Sequence, residues 1–269
     1  MTQVRMTTPV TVDAAALEVK VQAMYRAVAE RPGGDYHFEV GRALAERLGY
    51  PVAMLDKIPA GAVESFAGVG YFFDLAALSA DERVLDLGSG SGMDAFFAAL
   101  LVGEGGRVVG VDMTPEQLRK AEQLRAVGGF DQVTFTEARI EDLPFPDAEF
   151  DVVISNGVIN LSVDKAAVFA EAARMLRPGG RLALADIVTE VALAPQIVAN
   201  ADLWASCIGG AAQQDAYQRA IDAAGLRLEL MKRNQYRFLS PGAIGASDRY
   251  GVKSVSAIAR KGEPITDSR

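Results

Sequence analysis

Cysteine, histidine and tryptophan are almost absent from this chain. Its 269 residues include one cysteine, Cys207, one histidine, His37, and one tryptophan. A single cysteine excludes any disulfide within the chain. A zinc site takes about three or four Cys, His or carboxylate ligands, and the soft ligands for one are missing. We therefore expect no metal centre.

Positive charge and long apolar runs are also scarce. The chain has 27 Lys and Arg against 35 Asp and Glu, which gives a formal net charge of −8. This balance disfavours a nucleic-acid or anionic-membrane partner. No stretch approaches the roughly 20 apolar residues of a membrane span, and the start lacks the apolar core of a secretory signal. We expect a cytoplasmic protein with a small-molecule partner. No pattern specifies an oligomeric state.

The spacing of apolar residues changes near residue 80. Before it, apolar residues recur at helical spacing, as in "VDAAALEVKVQAMYRAVAE", which follows Asp13 as the predicted cap. After it, short apolar strands alternate with helices. This pattern predicts an α/β fold: a doubly wound, Rossmann-like, mostly parallel sheet of seven strands. We expect an N-terminal helical cap at 1–79 and the main domain at 80–269.

A glycine-rich loop, "LDLGSGSG", follows the first predicted strand and opens a helix. Gly88, Gly90 and Gly92 let the backbone turn tightly and let a ligand approach the main chain. Asp112 ends the second predicted strand, 20 residues after Gly92. A nucleotide-binding α/β unit places an acid there to bind ribose hydroxyls. The alternative role of Asp112 is a helix cap, although Thr114 is the predicted cap of the next helix.

Asp86 decides which nucleotide fits. It precedes the glycine loop on the same strand, where its charge would repel a pyrophosphate and attract an ammonium group. This disfavours a nicotinamide dehydrogenase. S-adenosylmethionine has an ammonium, a sulfonium and a ribose but no phosphate, so we expect it as the cofactor and S-adenosylhomocysteine as the product.

Several motifs then resemble those of one family. "VLDLGSGSG", "VVGVDMT", "EDLPFPDAEFDVVISN" and "MLRPGGRLALADI" resemble the motifs of class I S-adenosylmethionine-dependent methyltransferases, from about residue 80 to 190. "GVDMTPEQLRKA", "SNGVINLSVDKAAVF", "LADIVTE" and "LWASCIGGA" are similar to bacterial arsenite methyltransferases, from about Gly70 to Leu226.

The resemblance implies a set of cofactor-binding residues. It implies that the methionine end of the cofactor contacts Asp86, Gly88, Ser89 and Gly90, and that the ribose contacts Asp112. It implies that the adenine contacts Met113, Ile140 and Glu141, that Asn156 and Gly157 close the pocket below the sulfonium, and that Tyr25 covers the cofactor. We assign Gly92 and Gln117 to the same site.

The chain departs from the arsenite methyltransferases at their cysteines. That family holds trivalent arsenic with thiolates, because a soft ion needs soft ligands. Val69 and Gly157 stand at two of its cysteine positions, and only Cys207 remains. We therefore predict O-, N- or C-methylation of a small organic metabolite, with Gly157 widening the space beside the methyl group. Arsenite methylation with a reduced cysteine set and a non-catalytic S-adenosylmethionine-binding module remain alternatives.

The catalytic candidates are few. His37 and Tyr36 lie in "GGDYHFE", between predicted cap helices, and either could serve as a base; packing is the alternative for His37. Tyr71 and Asp74 are further candidates. Cys207 is either a thiolate ligand or a small buried hydrophobe. An apolar acceptor pocket could be walled by Phe66, Phe72, Phe73 and Trp204, unless these residues only fill the core.

Overall fold

The computed structural model describes residues 12–205 and 208–263. Its strands are β1 (Arg83–Leu87), β2 (Arg107–Asp112), β3 (Val133–Glu137), β4 (Phe150–Asn156), β5 (Leu176–Thr189), β6 (Ala212–Gln213), β7 (Leu226–Arg233) and β8 (Lys253–Lys261). They form one sheet in the order β3-β2-β1-β4-β5-β8-β7, and β6 pairs with β5 off this path. The pairs from β3 to β5 are parallel, whereas β8 runs antiparallel to β5 and β7.

Helices precede the sheet and connect its strands. They are α1 (Ala14–Glu30), α2 (Arg42–Leu48), α3 (Val52–Leu55), α4 (Ala60–Glu64), α5 (Phe73–Ala76), α6 (Met93–Val102), α7 (Pro115–Gly128), α8 (Lys165–Met175), α9 (Pro195–Val198), α10 (Ala201–Ala205), α11 (Gln214–Ala223) and α12 (Pro241–Tyr250). A single 3-10 turn spans Ile159–Leu161. Among the described residues, no helix is long and apolar enough to cross a membrane.

The predicted doubly wound sheet is confirmed. The central strands are continuous apolar runs because helices cover both faces of a parallel sheet; Val152, Val153 and Ile154 of β4 are all fully buried. The sequence analysis missed the two-residue strand β6 and helix α12. The "PGAIGASDRY" segment of α12 contains two glycines, which weaken any helical signal. Its cap is Ser240, whose Oγ accepts the Ala243 N–H at 3.2 Å.

The helices before β1 pack into the same hydrophobic cluster as one face of the sheet. Asp13 caps α1 as predicted, because its Oδ1 accepts the Ala16 N–H at 3.1 Å. Aromatic side chains join the segment before β1 to α6: the Phe97 ring centroid lies 4.4 Å from that of Phe73 and 5.3 Å from that of Tyr50. The domain boundary near residue 80 stays a prediction.

This aromatic contact generates a stability prediction. Phe97→Ala should lower the free energy of unfolding by about 3–5 kcal/mol, because it removes a fully buried ring and leaves a cavity. Val127→Ala is the control: Val127 is 89% exposed, so we expect a change within about 0.5 kcal/mol. Urea denaturation followed by circular dichroism measures both. A Phe97→Ala loss no larger than that of the control would show that the cap packs without this ring.

Candidate functional site

A deep cleft opens at the carboxyl ends of β1, β2 and β4, with α1 as one wall. It encloses about 1220 Å³, counted out to its solvent mouth. Ligands of open α/β sheets bind at this edge. Twelve of the thirteen predicted cofactor residues line the cleft: Tyr25, Asp86, Gly88, Ser89, Gly90, Asp112, Met113, Gln117, Ile140, Glu141, Asn156 and Gly157.

The glycine loop forms the floor of the cleft. The N–H groups of Gly88 and Ser89 both donate to the Val111 carbonyl, at 2.8 and 2.9 Å, which ties the loop to β2. Gly88 has a φ of +71°, and a Cβ there would lie 2.7 Å from Val158. Only glycine fits this position, for both conformational and steric reasons.

Gly92 is the thirteenth predicted residue, and it is not among the residues that line the cleft. It lies at the start of α6 with a φ of +92°. A Cβ there would lie 2.7 Å from the ring of Phe135. Its position therefore serves helix–strand packing, which is a recognised role of the last glycine in such loops.

Asp112 braces the loop from β2. Its Oδ2 accepts the Gly90 N–H at 3.0 Å, and its Oδ1 accepts the Thr114 N–H at 2.8 Å. Burial raises the pKa of Asp112, and these backbone hydrogen bonds oppose that rise. Thr114, the predicted cap of α7, makes no side-chain cap hydrogen bond. A carboxylate has about four lone-pair sites, so Asp112 keeps acceptor capacity for two hydroxyl groups.

Asp86 and Ser89 have unsatisfied polar atoms in the cleft wall. Asp86 Oδ2 and Ser89 Oγ are buried and have no hydrogen-bond partner among the described residues. Burial raises the pKa of Asp86 well above its usual range, and the charges of Asp94 and Asp112 add to this effect. Buried polar atoms without partners are costly, so these two atoms are suited to contacts with a polar ligand.

A second buried acid, Asp94, lies in the first turn of α6 and also lines the cleft. Its Oδ1 accepts the Tyr50 hydroxyl at 2.6 Å, and its Oδ2 accepts the Asn156 Nδ2–H at 2.9 Å. Burial raises the pKa of Asp94 to about 6, against the effect of both hydrogen bonds. Sequence reasoning missed Asp94 and Tyr50. The available signal was an acid within the otherwise apolar "MDAFFAALLV" of α6.

Asn156 joins this acid to the loop that precedes β1. Its Oδ1 accepts the N–H groups of Val69 and Gly70, at 2.8 and 3.3 Å. Its Nδ2 donates to the Gly70 carbonyl at 3.0 Å as well as to Asp94. It also donates to the Tyr50 hydroxyl at 3.1 Å, so neighbours from three parts of the chain fix the amide.

Polar contacts join α1 to α7 and to Met113, which precedes α7. Gln117 Nε2 donates to the Tyr25 carbonyl at 2.8 Å, and Gln22 Nε2 donates to the Met113 carbonyl at 3.3 Å. Across the cleft, Glu141 Oε1 accepts the Ser162 hydroxyl at 2.5 Å. The predicted adenine-contacting residues Met113 and Glu141 thus both take part in polar contacts at the cleft.

The predicted bases are not at the cleft. The Tyr36 hydroxyl donates to the carbonyls of Ala27 and Arg31, each at 2.7 Å. The His37 ring packs edge-on against Phe38, with centroids 4.8 Å apart. Neither side chain lines the cleft, so their catalytic role has no geometric support and stays a prediction. Cys207 lies outside the described residues.

The predicted aromatic wall is only partly present. Phe66 lines the cleft, whereas Phe72 and Phe73 are buried in the core. Trp204 packs beneath Lys165, whose Nζ lies 4.9 Å from the ring. Asp74 forms an ion pair with Lys232. Sequence reasoning could not separate cleft aromatics from core aromatics, because both are apolar residues at similar spacing.

The two positions that carry cysteine in the resembled family are neighbours in space. A Cβ built on Gly157 would lie 3.2 and 3.5 Å from the two methyl groups of Val69. A side chain at position 157 would therefore meet buried Val69, and the expectation that Gly157 widens the space beside the methyl group stays a prediction.

Known proteins match this chain closely. A family model described as "Methyltransferase domain" matches residues 78–225. An arsenite methyltransferase of Halobacterium salinarum is 39% identical over 193 residues, which are 72% of this chain and 49% of the relative. One of Aquipseudomonas alcaligenes is 46% identical over 136 residues, 48% of this chain and 39% of the relative. The chain thus spans about half the length of the curated relatives it matches, or less.

A solved structure is similar to this chain in both sequence and fold. The arsenic (III) S-adenosylmethionine methyltransferase of Chlamydomonas reinhardtii is 32% identical, with a TM-score of 0.62. The match covers 84% of this chain and 75% of that chain.

The donor set of the cleft fits S-adenosylmethionine. Asp112 can accept ribose hydroxyls, and the unsatisfied Asp86 oxygen suits an ammonium group. Among the described residues that line the cleft, Arg139 is the one Lys or Arg, and Glu18 pairs with it at 2.6 Å. A pyrophosphate would therefore find no free cation there. With the family model and the relatives, these observations show that the chain belongs to the S-adenosylmethionine-dependent methyltransferases and that S-adenosylmethionine is its cofactor.

Proposed function

We propose that this protein transfers the methyl group of S-adenosylmethionine to an oxygen, nitrogen or carbon atom of a small, largely apolar organic metabolite. The observation that carries the proposal is the pair Val69 and Gly157. Where the resembled family places two thiolates, this chain has one aliphatic side chain and a glycine, and a Cβ built on Gly157 would lie 3.2 Å from a methyl group of Val69.

The chemistry of trivalent arsenic argues against arsenite as the acceptor. A soft ion needs soft ligands, and the pair Val69 and Gly157 supplies no sulfur. Cys207 is the one cysteine in the sequence. A single thiolate would hold arsenic weakly, and exchange with cellular thiols would compete with it.

The wall of the cleft favours an apolar acceptor. Residues of α1, of the loop before β1 and of the segment after β4 contribute aliphatic and aromatic side chains, namely Leu17, Val21, Phe66, Val158 and Leu161. Ligand pockets are mostly apolar, with few polar groups that set orientation.

The residues of this chain would position and shield the reaction. When bound, S-adenosylmethionine supplies a methyl group already activated by the sulfonium. Asp112 would hold the ribose and Asp86 the ammonium, while α1 covers the cleft and excludes water. Transfer requires mainly that the acceptor atom be held about 3–3.5 Å from the methyl carbon, in line with the sulfur.

Arsenite methylation is the second candidate, because the relatives from Halobacterium salinarum and Aquipseudomonas alcaligenes, 39% and 46% identical, are arsenite methyltransferases. The deciding experiment incubates the purified protein with methyl-labelled S-adenosylmethionine, arsenite and excess thiol, and in parallel with small molecules extracted from cells. We expect labelled organic product and no methylated arsenic. Methylated arsenic that disappears in Cys207→Ser would establish the second candidate. Cofactor binding without any labelled product would favour a non-catalytic module.

The proximity of positions 69 and 157 leads to a gain-of-function prediction. The double variant Val69→Cys, Gly157→Cys should bind a trivalent arsenical more tightly than the wild-type protein does, because it places two thiols side by side. Gly157 has a φ of +75°, so a side chain there costs about 1–2 kcal/mol. Fluorescence titration with a trivalent phenylarsenical measures the affinity. Val69→Cys alone is the control, and equal affinities of the single and double variants would refute the pairing.

The role of Asp112 generates a binding prediction. Asp112→Ala should weaken S-adenosylmethionine binding by about ten-fold or more, because charge-assisted hydrogen bonds to the ribose are lost. Isothermal titration calorimetry gives the affinity. Asp131→Ala is the matched control, since the Asp131 side chain is fully exposed. An unchanged affinity in a folded Asp112→Ala variant would contradict the ribose assignment.

A further inference from the structure

Two buried carboxyl groups share the cleft without a matching cation. Asp86 is 2% exposed and Asp94 is 6% exposed, and both line the cleft. Arg139, which already pairs with Glu18, is the one Lys or Arg in that lining as far as the chain is described. Burying a carboxylate without a counter-charge is strongly unfavourable. The site therefore has a deficit of positive charge that a ligand can supply.

Unsatisfied atoms indicate independently that a ligand completes this site. Asp86 Oδ2 and Ser89 Oγ are buried in the cleft lining and find no partner among the described residues. Asp94, by contrast, is held in place by the Tyr50 hydroxyl and the Asn156 amide. Asp86 thus has an oxygen without a hydrogen-bond partner among the described residues, whereas hydrogen bonds fix the orientation of Asp94.

The cofactor and its product differ in charge at the sulfur atom, to which the carboxylates of Asp86 and Asp94 are sensitive. S-adenosylmethionine and S-adenosylhomocysteine share the ammonium, the ribose and the adenine. In the reaction the methyl–sulfur bond breaks, a bond from the methyl carbon to the acceptor atom forms, and the sulfur keeps the electron pair. The sulfur thereby changes from a cationic sulfonium to a neutral thioether.

We propose that Asp94 is a second cofactor carboxylate, which together with Asp86 makes the site bind cationic S-adenosylmethionine more tightly than S-adenosylhomocysteine. Asp86 balances the ammonium that both molecules carry. Asp94 balances the sulfonium that only the substrate carries. Methyl transfer then leaves Asp94 without its counter-charge, which weakens product binding and promotes product release.

Protonation provides a readout that a purely structural role would not affect. A cation favours the ionised carboxylate, so affinity for S-adenosylmethionine falls as pH decreases through the pKa of Asp94, which burial raises to about 6. The groups that face this pair are Tyr50 from the segment after α2, Asn156 from β4 and Asp112 from β2. The charge of Asp112 acts on Asp86. We expect it to affect the binding of S-adenosylmethionine and of S-adenosylhomocysteine equally. Burial raises the pKa of Tyr71, and the charges of Asp74 and Asp94 add to this effect.

The experiment is calorimetric titration of the full chain with S-adenosylmethionine and with S-adenosylhomocysteine between pH 5 and pH 7.5. The wild-type protein should prefer S-adenosylmethionine at pH 7.5 and lose that preference near pH 5. Asp94→Asn should lower the preference at pH 7.5 by about fivefold, which is the effect that water-like screening leaves between two unit charges about 4 Å apart. Asp94→Asn should also remove most of its pH dependence.

Tyr50→Phe supplies a second test that keeps Asp94 charged. It removes a hydrogen bond that lowers the pKa of Asp94, so the pH at which the preference disappears should move upward. Asp112→Ala should weaken both ligands together and leave their ratio unchanged. Asp131→Asn should change nothing.

Three results would overturn the inference. The first is that the wild-type protein prefers S-adenosylhomocysteine at pH 7.5. The second is that Asp94→Asn keeps the wild-type ratio of the two affinities. The third is that Tyr50→Phe leaves unchanged the pH at which the preference disappears. If Asp94→Asn does not fold, the midpoint in Tyr50→Phe decides. The inference rests on the cofactor of the proposed function and not on its acceptor. Failure of the organic-acceptor assay would therefore not contradict the role of Asp94. Failure of the Asp94 tests would not change the identity of the acceptor.

Discussion

The structure depends on keeping acidic side chains buried at the carboxyl edge of a parallel sheet. Asp86, Asp94 and Asp112 come from β1, α6 and β2, and burial raises the pKa of each. Backbone N–H groups of the glycine loop stabilise one of them, and a tyrosine and an amide stabilise another. The remaining negative charge favours a cationic nucleoside derivative such as S-adenosylmethionine over a phosphorylated nucleotide.

Asn156 links this charged floor to the acceptor side. Its amide binds Asp94 on one side and the backbone of Val69 and Gly70 on the other. Ser254 of β8 holds the same loop from behind, because its hydroxyl donates to the Val69 carbonyl at 2.6 Å. The position of Val69 beside Gly157 is thus set by hydrogen bonds from two strands.

Local motifs predicted the cofactor end of the site, whereas distant contacts could not be predicted. Gly88, Gly90 and Asp112 lie in a strand–loop–helix unit whose geometry follows from local spacing and glycine content. Tyr50 and Asp94 are 44 residues apart, and Tyr50 and Asn156 are 106 apart. No periodicity relates residues at such separations. His37 is a candidate base by its chemistry alone, and its ring packs against Phe38 outside the cleft lining.

The sequence by itself determined the alternation of strands and helices, the glycine loop and the acid on β2, because each is a short-range consequence of hydrophobic periodicity, turn chemistry and strand ends. It also determined which soft ligands are missing, since composition is independent of folding. The tertiary structure decided which aromatic residues face the cleft, that Val69 fills the space beside Gly157, and that Asp94 joins Asp86. These features depend on side chains that meet only when the cap helices and the sheet pack together and exclude water.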